Sequence, residues 1–402
     1  MANNVHDLPS IPKAITFFHA AAGFPVKATW IKAIKNGHYQ TWPGLTLAAV
    51  IKHCPDAVET QKGHMKKQRQ NVRSTKVKVE DENNTNTPHL KKNEVYVKIF
   101  NARDTIHTDQ MGDLPVTSSR GNKFVMVLVN VDGNYIDAEP VKDHTDASLI
   151  KAYTALWNRL TASKIVTPTL HVLDNEASAA FKTAIKLKCD LQLVPPDTHR
   201  RNLAERAIQT FKSHFIAILA GVDDSFPMQL WDRLIPQAVL TLNLLRRANA
   251  NQSISAYEYI NGKFDYNKMP LAPMGCAVQI YESPHNRHTW APHSTDGWYL
   301  RMSAEHYRCH IVFVKKTRSE RISDTVHFDH AHITQPTLTP TDVIVKALQD
   351  LTQAIKETHN PKGNEQMDAL KKLEMLLVTP VEQAINMLNV TVGYLEPNQK
   401  TI

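Results

Sequence analysis

Near residue 95 the texture of the chain changes, and that change limits the fold more than any other feature. EVYVKIF, DTIHTDQMG and KFVMVLVNVDG are rich in β-branched residues with strand-like alternation. DASLIKAYTALWNRLTAS, residues 146–163, then places Leu149, Ala152, Leu156 and Leu160 at helical spacing behind an Asp. LHVLDNEA reads as a short buried strand, AFKTAIKLK as a helix and DLQLVPP as a further strand. Two helices are expected over residues 203–220 and 228–247. An opening meander followed by strands alternating with helices predicts a mixed α/β sheet with helices on both faces.

The flanks read differently. Residues 12–60 suggest short helices broken at Gly23-Phe24-Pro25 and Trp42-Pro43-Gly44. Residues 62–78 carry seven Lys or Arg and no carboxylate, and the polar EDENNTNTPH after them marks a linker. After Asn261-Gly262, CAVQIYES, GWYLRMS, HYRCHIVFV and DTVHFDHAHI are short strands between turns, as in a small barrel. From about residue 338 the spacing becomes that of amphipathic helices. A net charge of +8 favours a polyanionic partner. Cys54, Cys189, Cys276 and Cys309 lie far apart, which fits free thiols in a reducing compartment. The longest charge-free apolar run, residues 234–245, is too short to span a bilayer and contains Pro236. An intracellular protein, nuclear or cytoplasmic, with no membrane partner is expected.

Three carboxylates stand out by context: Asp109 after a strand, Asp174 ending one, and Glu205 opening a helix. Phosphoryl transfer on DNA uses oxygen ligands that hold two divalent ions, one at the attacking oxygen and one at the leaving oxygen. Aspartates from adjacent strand ends and a glutamate from a crossing helix can supply that geometry. The competing reading is structural, since acids at helix starts are common.

HTDQMGDLPVTSSRGNKFVMVLVNVDGNYIDAEPV, LHVLDNEAS and RRNLAERAIQTFKSHF together resemble the catalytic core of retroviral and retrotransposon integrases. The resemblance implies a ribonuclease-H-like fold and a D-D-E metal triad, with Asp109, Asp174 and Glu205 binding two Mg²⁺ or Mn²⁺ ions. Only 30 residues separate Asp174 from Glu205, and Asn202 precedes Glu205 by three positions, both shorter than the family pattern. Arg206, Gln209 and Lys212 share the Glu205 helix and are expected to grip DNA phosphates, with Arg200 and Arg201 next. Lys66, Lys67 and Arg69 of the basic run are further DNA candidates, against a plain solvated linker as the alternative. Asn175 and Glu176 could support the metal site, Glu176 not as a ligand.

PLAPMGCAVQIYE through RISDTVHFDH is similar to the small DNA-binding barrel that follows the core in copia-type elements. Trp290, Trp298, Tyr299 and Tyr307 could stack on bases, but core positions are favoured. The N-terminal segment resembles a His-His-Cys-Cys zinc domain only in outline: Phe24 replaces the second His and Cys54 has no CxxC partner. His19, His53, Cys54 and His64 lack the spacing zinc needs, so no zinc is expected. The expected organisation is a helical N-terminal module (1–62), a basic and polar linker (63–96), the catalytic core (97–262), a small β-barrel (263–335) and an amphipathic helical tail (336–402). The implied activity is 3′-end processing and strand transfer of element DNA into target DNA by a homo-oligomer. A transposase or nuclease on the same fold, or an inactive or host-recruited DNA-binding derivative, is the alternative.

Overall fold

The structure is a computed structural model that describes residues 8, 10–66, 103–174, 177–194 and 203–328. The strand expected at residues 94–100, most of the basic linker and the helical tail lie outside the described residues.

The middle of the chain begins with a meander of β1 (Thr105–Gln110), β2 (Phe124–Asn130) and β3 (Tyr135–Val141), antiparallel throughout. β4 (Leu170–Asp174) then pairs parallel to β1, and β5 (Asp190–Val194) pairs parallel to β4. The resulting order is β3-β2-β1-β4-β5, a mixed five-stranded sheet with flanking helices, as the pattern predicted. α5 (Asp146–Thr161) is capped by Thr145 and buries Leu149, Ala152, Tyr153, Leu156 and Leu160 against β2 and β3. α6 (Ala179–Lys186) buries Phe181 and Ile185. α7 (Leu203–Ala220) packs Ala207, Phe211 and Phe215 toward β1 and β2. The single helix expected over 228–247 is instead a 3-10 helix, Met228–Arg233, followed by α8 (Ile235–Leu245). Pro236 explains the break: it lacks an N–H and fits the first turn of a new helix rather than the interior of a long one. A short α9 (Ala256–Asn261), capped by Ser255, closes this part.

Among the described residues, four helices precede the sheet: α1 (Ile11–Ala21), α2 (Lys27–Lys35), α3 (Leu47–His53) and α4 (Val58–His64). After it come β6 (Ala277–Tyr281), β7 (Ser294–Met302), β8 (His310–Val314), β9 (Ser319–Ser323) and β10 (Val326–Phe328). They form an antiparallel sheet in the order β10-β6-β7-β8-β9. Among the described residues β9 and β10 do not pair, so the strands expected of a barrel form an open five-stranded sheet.

The N-terminal helices and this second sheet share one apolar core. Phe17 meets Phe328 edge-on with ring centroids 6.2 Å apart, and Trp42 lies 4.6 Å from Tyr266. The Thr41 hydroxyl donates to the Phe264 carbonyl at 3.2 Å and accepts from the Tyr266 N–H at 3.0 Å. Tyr299 donates to Gln237 on α8 at 2.6 Å, joining the second sheet to the helices of the first. No described helix is long and apolar enough to cross a membrane.

Candidate active site

β1 and β4 run parallel with Thr105 opposite Leu170 and His107 opposite Val172. Extending that register by two residues sets Asp109 level with Asp174, and pleating puts both on one face. The two aspartates line a common cavity of about 280 Å³ with Thr108, Gln110, Leu173, Ala177 and Phe181. The buried first four residues of β1 and the buried His171 and Leu173 of β4 hold the strands in the interior, while Asp109 and Asp174 near their ends are partly exposed. Asp109 Oδ1 accepts the Gln110 N–H at 2.7 Å, which orients one carboxylate oxygen toward its own backbone.

A second set of residues holds the walls of the cavity. The Thr108 hydroxyl hydrogen-bonds to Nε2 of His171 at 2.8 Å, fully inside the protein, and ties β1 to β4 just behind the aspartates. His171 stacks on Tyr153 of α5 with centroids 5.3 Å apart. Burial pushes its imidazole down to about 3, so it is neutral at physiological pH. At the rim, Gln110 is hydrogen-bonded to His144 at 2.6 Å, and His144 lies against Phe124. None of these four residues was singled out from the sequence. Gln110 could have been, as the neighbour of Asp109 in the HTDQ step. Thr108, His171 and His144 carry no local signal, because their pairing depends on strand register.

Glu205 is placed in the first turn of α7, exposed, and is not among the residues lining the two-aspartate cavity. Among the described residues no three His, Cys, Asp or Glu side chains gather so as to hold a metal ion. The donor set therefore fits a divalent ion only in part: two hard oxygen donors share a cavity, and the third expected carboxylate does not join them. Asn175, Glu176, Arg200, Arg201, Lys67 and Arg69 lie outside the described residues. On α7, Arg206, Gln209 and Lys212 are exposed. Gln209 and Lys212 line a second, larger cavity together with Lys66, and Arg206 does not.

In the N-terminal helices, Nε2 of His19 is bonded to the Pro25 carbonyl at 2.8 Å, and burial lowers its pKa to about 4. Cys54 places its thiol by the Pro55 carbonyl. The four aromatics expected of the barrel segment divide evenly. Trp298 and Tyr299 are core, whereas Trp290 is 98% exposed and Tyr307 69% exposed, so the core expectation fails for the latter two.

No protein-family model matches the sequence, and no curated protein matches it. Among solved structures, the chain is similar to a cryo-EM structure of the simian T-cell lymphotropic virus intasome in complex with the PP2A regulatory subunit B56 gamma. That match has 14% identity, covers 56% of this chain and 81% of the other, and has a TM-score of 0.29. It is also similar to the crystal structure of the catalytic core domain of BIV integrase, with 16% identity, coverage of 39% and 93%, and a TM-score of 0.28. At these values neither likeness assigns a role to any residue.

Proposed function

We propose that the chain is a retrotransposon integrase of copia type, a polynucleotidyl transferase with a ribonuclease-H-like core that processes 3′ ends of element DNA and joins them to target DNA. The observation that carries this reading is the pair Asp109 and Asp174, on adjacent parallel strands and lining one cavity. The order of the sequence motifs and the mixed sheet that begins with a meander agree with it. Asp109 and Asp174 are the residues that would hold Mg²⁺ or Mn²⁺, whose chemistry when bound is to activate the attacking oxygen and neutralise charge on the leaving one. The chain's own contribution is positional. Core-packed strands and the Thr108–His171 bond fix the spacing of the two carboxylates, so little reorganisation is needed as charge develops. The net charge of +8 and the basic residues of α7 would hold the DNA backbone. A homo-oligomer working on paired DNA ends, in the nucleus or cytoplasm, belongs to the same proposal.

One observation favours a second reading, a DNA-binding integrase derivative without catalysis: Glu205 is exposed and outside the cavity. Strand transfer on a short duplex in Mg²⁺ separates the two. Asp109→Asn and Asp174→Asn should each abolish joining while leaving melting temperature and duplex binding near wild type. An Asn variant that keeps most of its joining activity would remove the aspartates from the reaction. A wild-type chain that binds DNA and leaves it uncut would favour the derivative.

A further inference from the structure

The cleft lined by Lys66 and Lys212 has a composition that the two-aspartate site does not explain. Its volume is about 590 Å³, within the range of ligand-holding cavities. It lies between the α1–α2 turn and the end of α4 on one side, and α7 with the end of α8 on the other. Lys66, Lys212 and Arg246 supply three cations to its wall, and among the described residues that line it none is Asp or Glu. Leu242 and Leu245 provide an apolar floor that weakens solvent screening.

The convergence of like charges is built, not incidental. A Cβ added at Gly63 would come within 2.5 Å of the Ser213 carbonyl oxygen and 2.7 Å of the Ala217 nitrogen. α4 therefore sits on the backbone of α7, and the chain leaving α4 is delivered beside Lys212 three residues later. Arg246 is held by Asn134, donating from Nε to its carbonyl at 2.9 Å and from Nη2 to its side-chain oxygen. Those two bonds use part of the five N–H donors of a guanidinium and leave the rest for a ligand. Lys66 and Lys212 have no hydrogen bond or ion pair within the described residues. The buried Nε2 of His64 also has no hydrogen-bond partner among them.

We propose that this cleft is a phosphate-binding site shared by the N-terminal helices and the core, taking consecutive backbone phosphates of a nucleic-acid strand. The proposal rests on the nucleic-acid reading above, joins the expected contacts Lys66 and Lys212 in one site, and extends it to His64 and Arg246, outside the α7 face. The scale fits: Lys212 lies seven residues beyond Glu205, roughly 10 Å along the helix. Phosphates recur about every 3.4 Å of rise along one strand.

The test is equilibrium binding of a labelled duplex in metal-free buffer over a range of KCl concentrations, with no catalytic readout. Comparison is between wild type, a Lys66→Gln/Lys212→Gln variant, and a control Lys32→Gln/Lys35→Gln variant that removes equal charge from exposed positions on α2. The slope of log affinity against log salt should fall by roughly two units in the first variant, about 0.9 per lost phosphate contact. It should be unchanged in the control. Equal loss in both variants, or an unchanged slope in the first, would overturn the proposal. Inorganic tripolyphosphate separates the sources. Competition with the duplex that the first variant abolishes supports a strand site, whereas tripolyphosphate binding that leaves the duplex slope untouched assigns the cleft to a free polyphosphate and overturns it. Wild type that binds no duplex at low salt defeats the nucleic-acid reading itself. Binding that survives with an unchanged slope defeats only the cleft.

Discussion

Thr108 carries a hydroxyl into the interior one residue before Asp109, and its partner His171 sits three residues before Asp174. The bond between them links the two aspartate strands side chain to side chain. Thr108→Val keeps the shape and removes the bond, leaving the His171 nitrogen buried without a partner, since Nδ1 of the same ring is already without one. Stranding a buried polar group costs about 1–3 kcal/mol, more than the few tenths that a β-branched swap changes in strand preference. Thr108→Val should therefore lower the chemical-denaturation free energy by that amount and reduce DNA joining by about tenfold or more through misplacement of the strand ends. Thr108→Ser, which retains the hydroxyl, should restore joining. Equal activity in the Val and wild-type proteins would show that the bond has no part in holding the site. Asp109 and Asp174 were legible because a carboxylate at the end of a strand-like segment is conspicuous in one dimension. Thr108 and His171 were not, because a Thr and a His 63 positions apart mean nothing until the register is known.

At the level of helices and strands, legibility followed apolar periodicity. α5 was readable from its three- and four-residue spacing, and β2 from its unbroken apolar run with Val at alternate positions. β9 was missed: Ser-Glu-Arg-Ile-Ser has no apolar alternation, because an edge strand needs apolar side chains on few positions and gains from charge. Its Glu320 accepts from Arg120 at 2.6 Å and Arg233 at 2.7 Å, so the polar edge ties the second sheet to the first. α4 is the element whose packing gives the sharpest prediction. Gly63→Ala in a free helix would gain about 1 kcal/mol in propensity. Here the new methyl meets backbone atoms of α7 at 2.5 Å and 2.7 Å, where nothing flexible can yield. Overpacking typically costs 1–3 kcal/mol, so the sign reverses. Hydrogen exchange of the α4 amides should speed up in Gly63→Ala while the sheet amides keep their protection. Slower exchange in α4 would mean that propensity outweighs the clash and that the helix can shift without loss.

Helices from the first fifth of the chain and strands from after residue 276 complete one another's interior, and this long-range closure is what local patterns cannot reveal. Each segment reads alone as a small module. The aromatic contacts Phe17–Phe328 and Phe18–Tyr266 exist only because the chain returns to its beginning. Four of the buried histidines, within that closure and in the first-sheet region, have strongly depressed pKa values. Burial holds His19 and His310 at about 4, and His171 and His214 at about 3, against an ordinary value of 6.5. The folded values are depressed, so the folded state favours neutral imidazoles. Above pH 6.5 both states are neutral and these groups do not affect stability. As pH falls from 6.5 toward 4 the unfolded chain takes up protons that the folded chain excludes, and stability is lost. Each group contributes up to about 1.4 kcal/mol per pH unit in that window. Set against an ordinary total of about 5–15 kcal/mol, four such groups should make the protein unfold in mild acid. The urea midpoint should be flat from pH 8 to 7 and drop steeply between pH 6.5 and 5. His310→Phe places another ring beside Tyr299 and Phe328, where His310 now packs, and should make the drop shallower by removing one contributor. Carboxylates held in ion pairs would give a different curve, with stability unchanged to about pH 5 and lost only below their own range. A midpoint that stays level down to pH 5 would mean that water or protons reach these imidazoles in the folded state and that the shared core is looser than its packing implies.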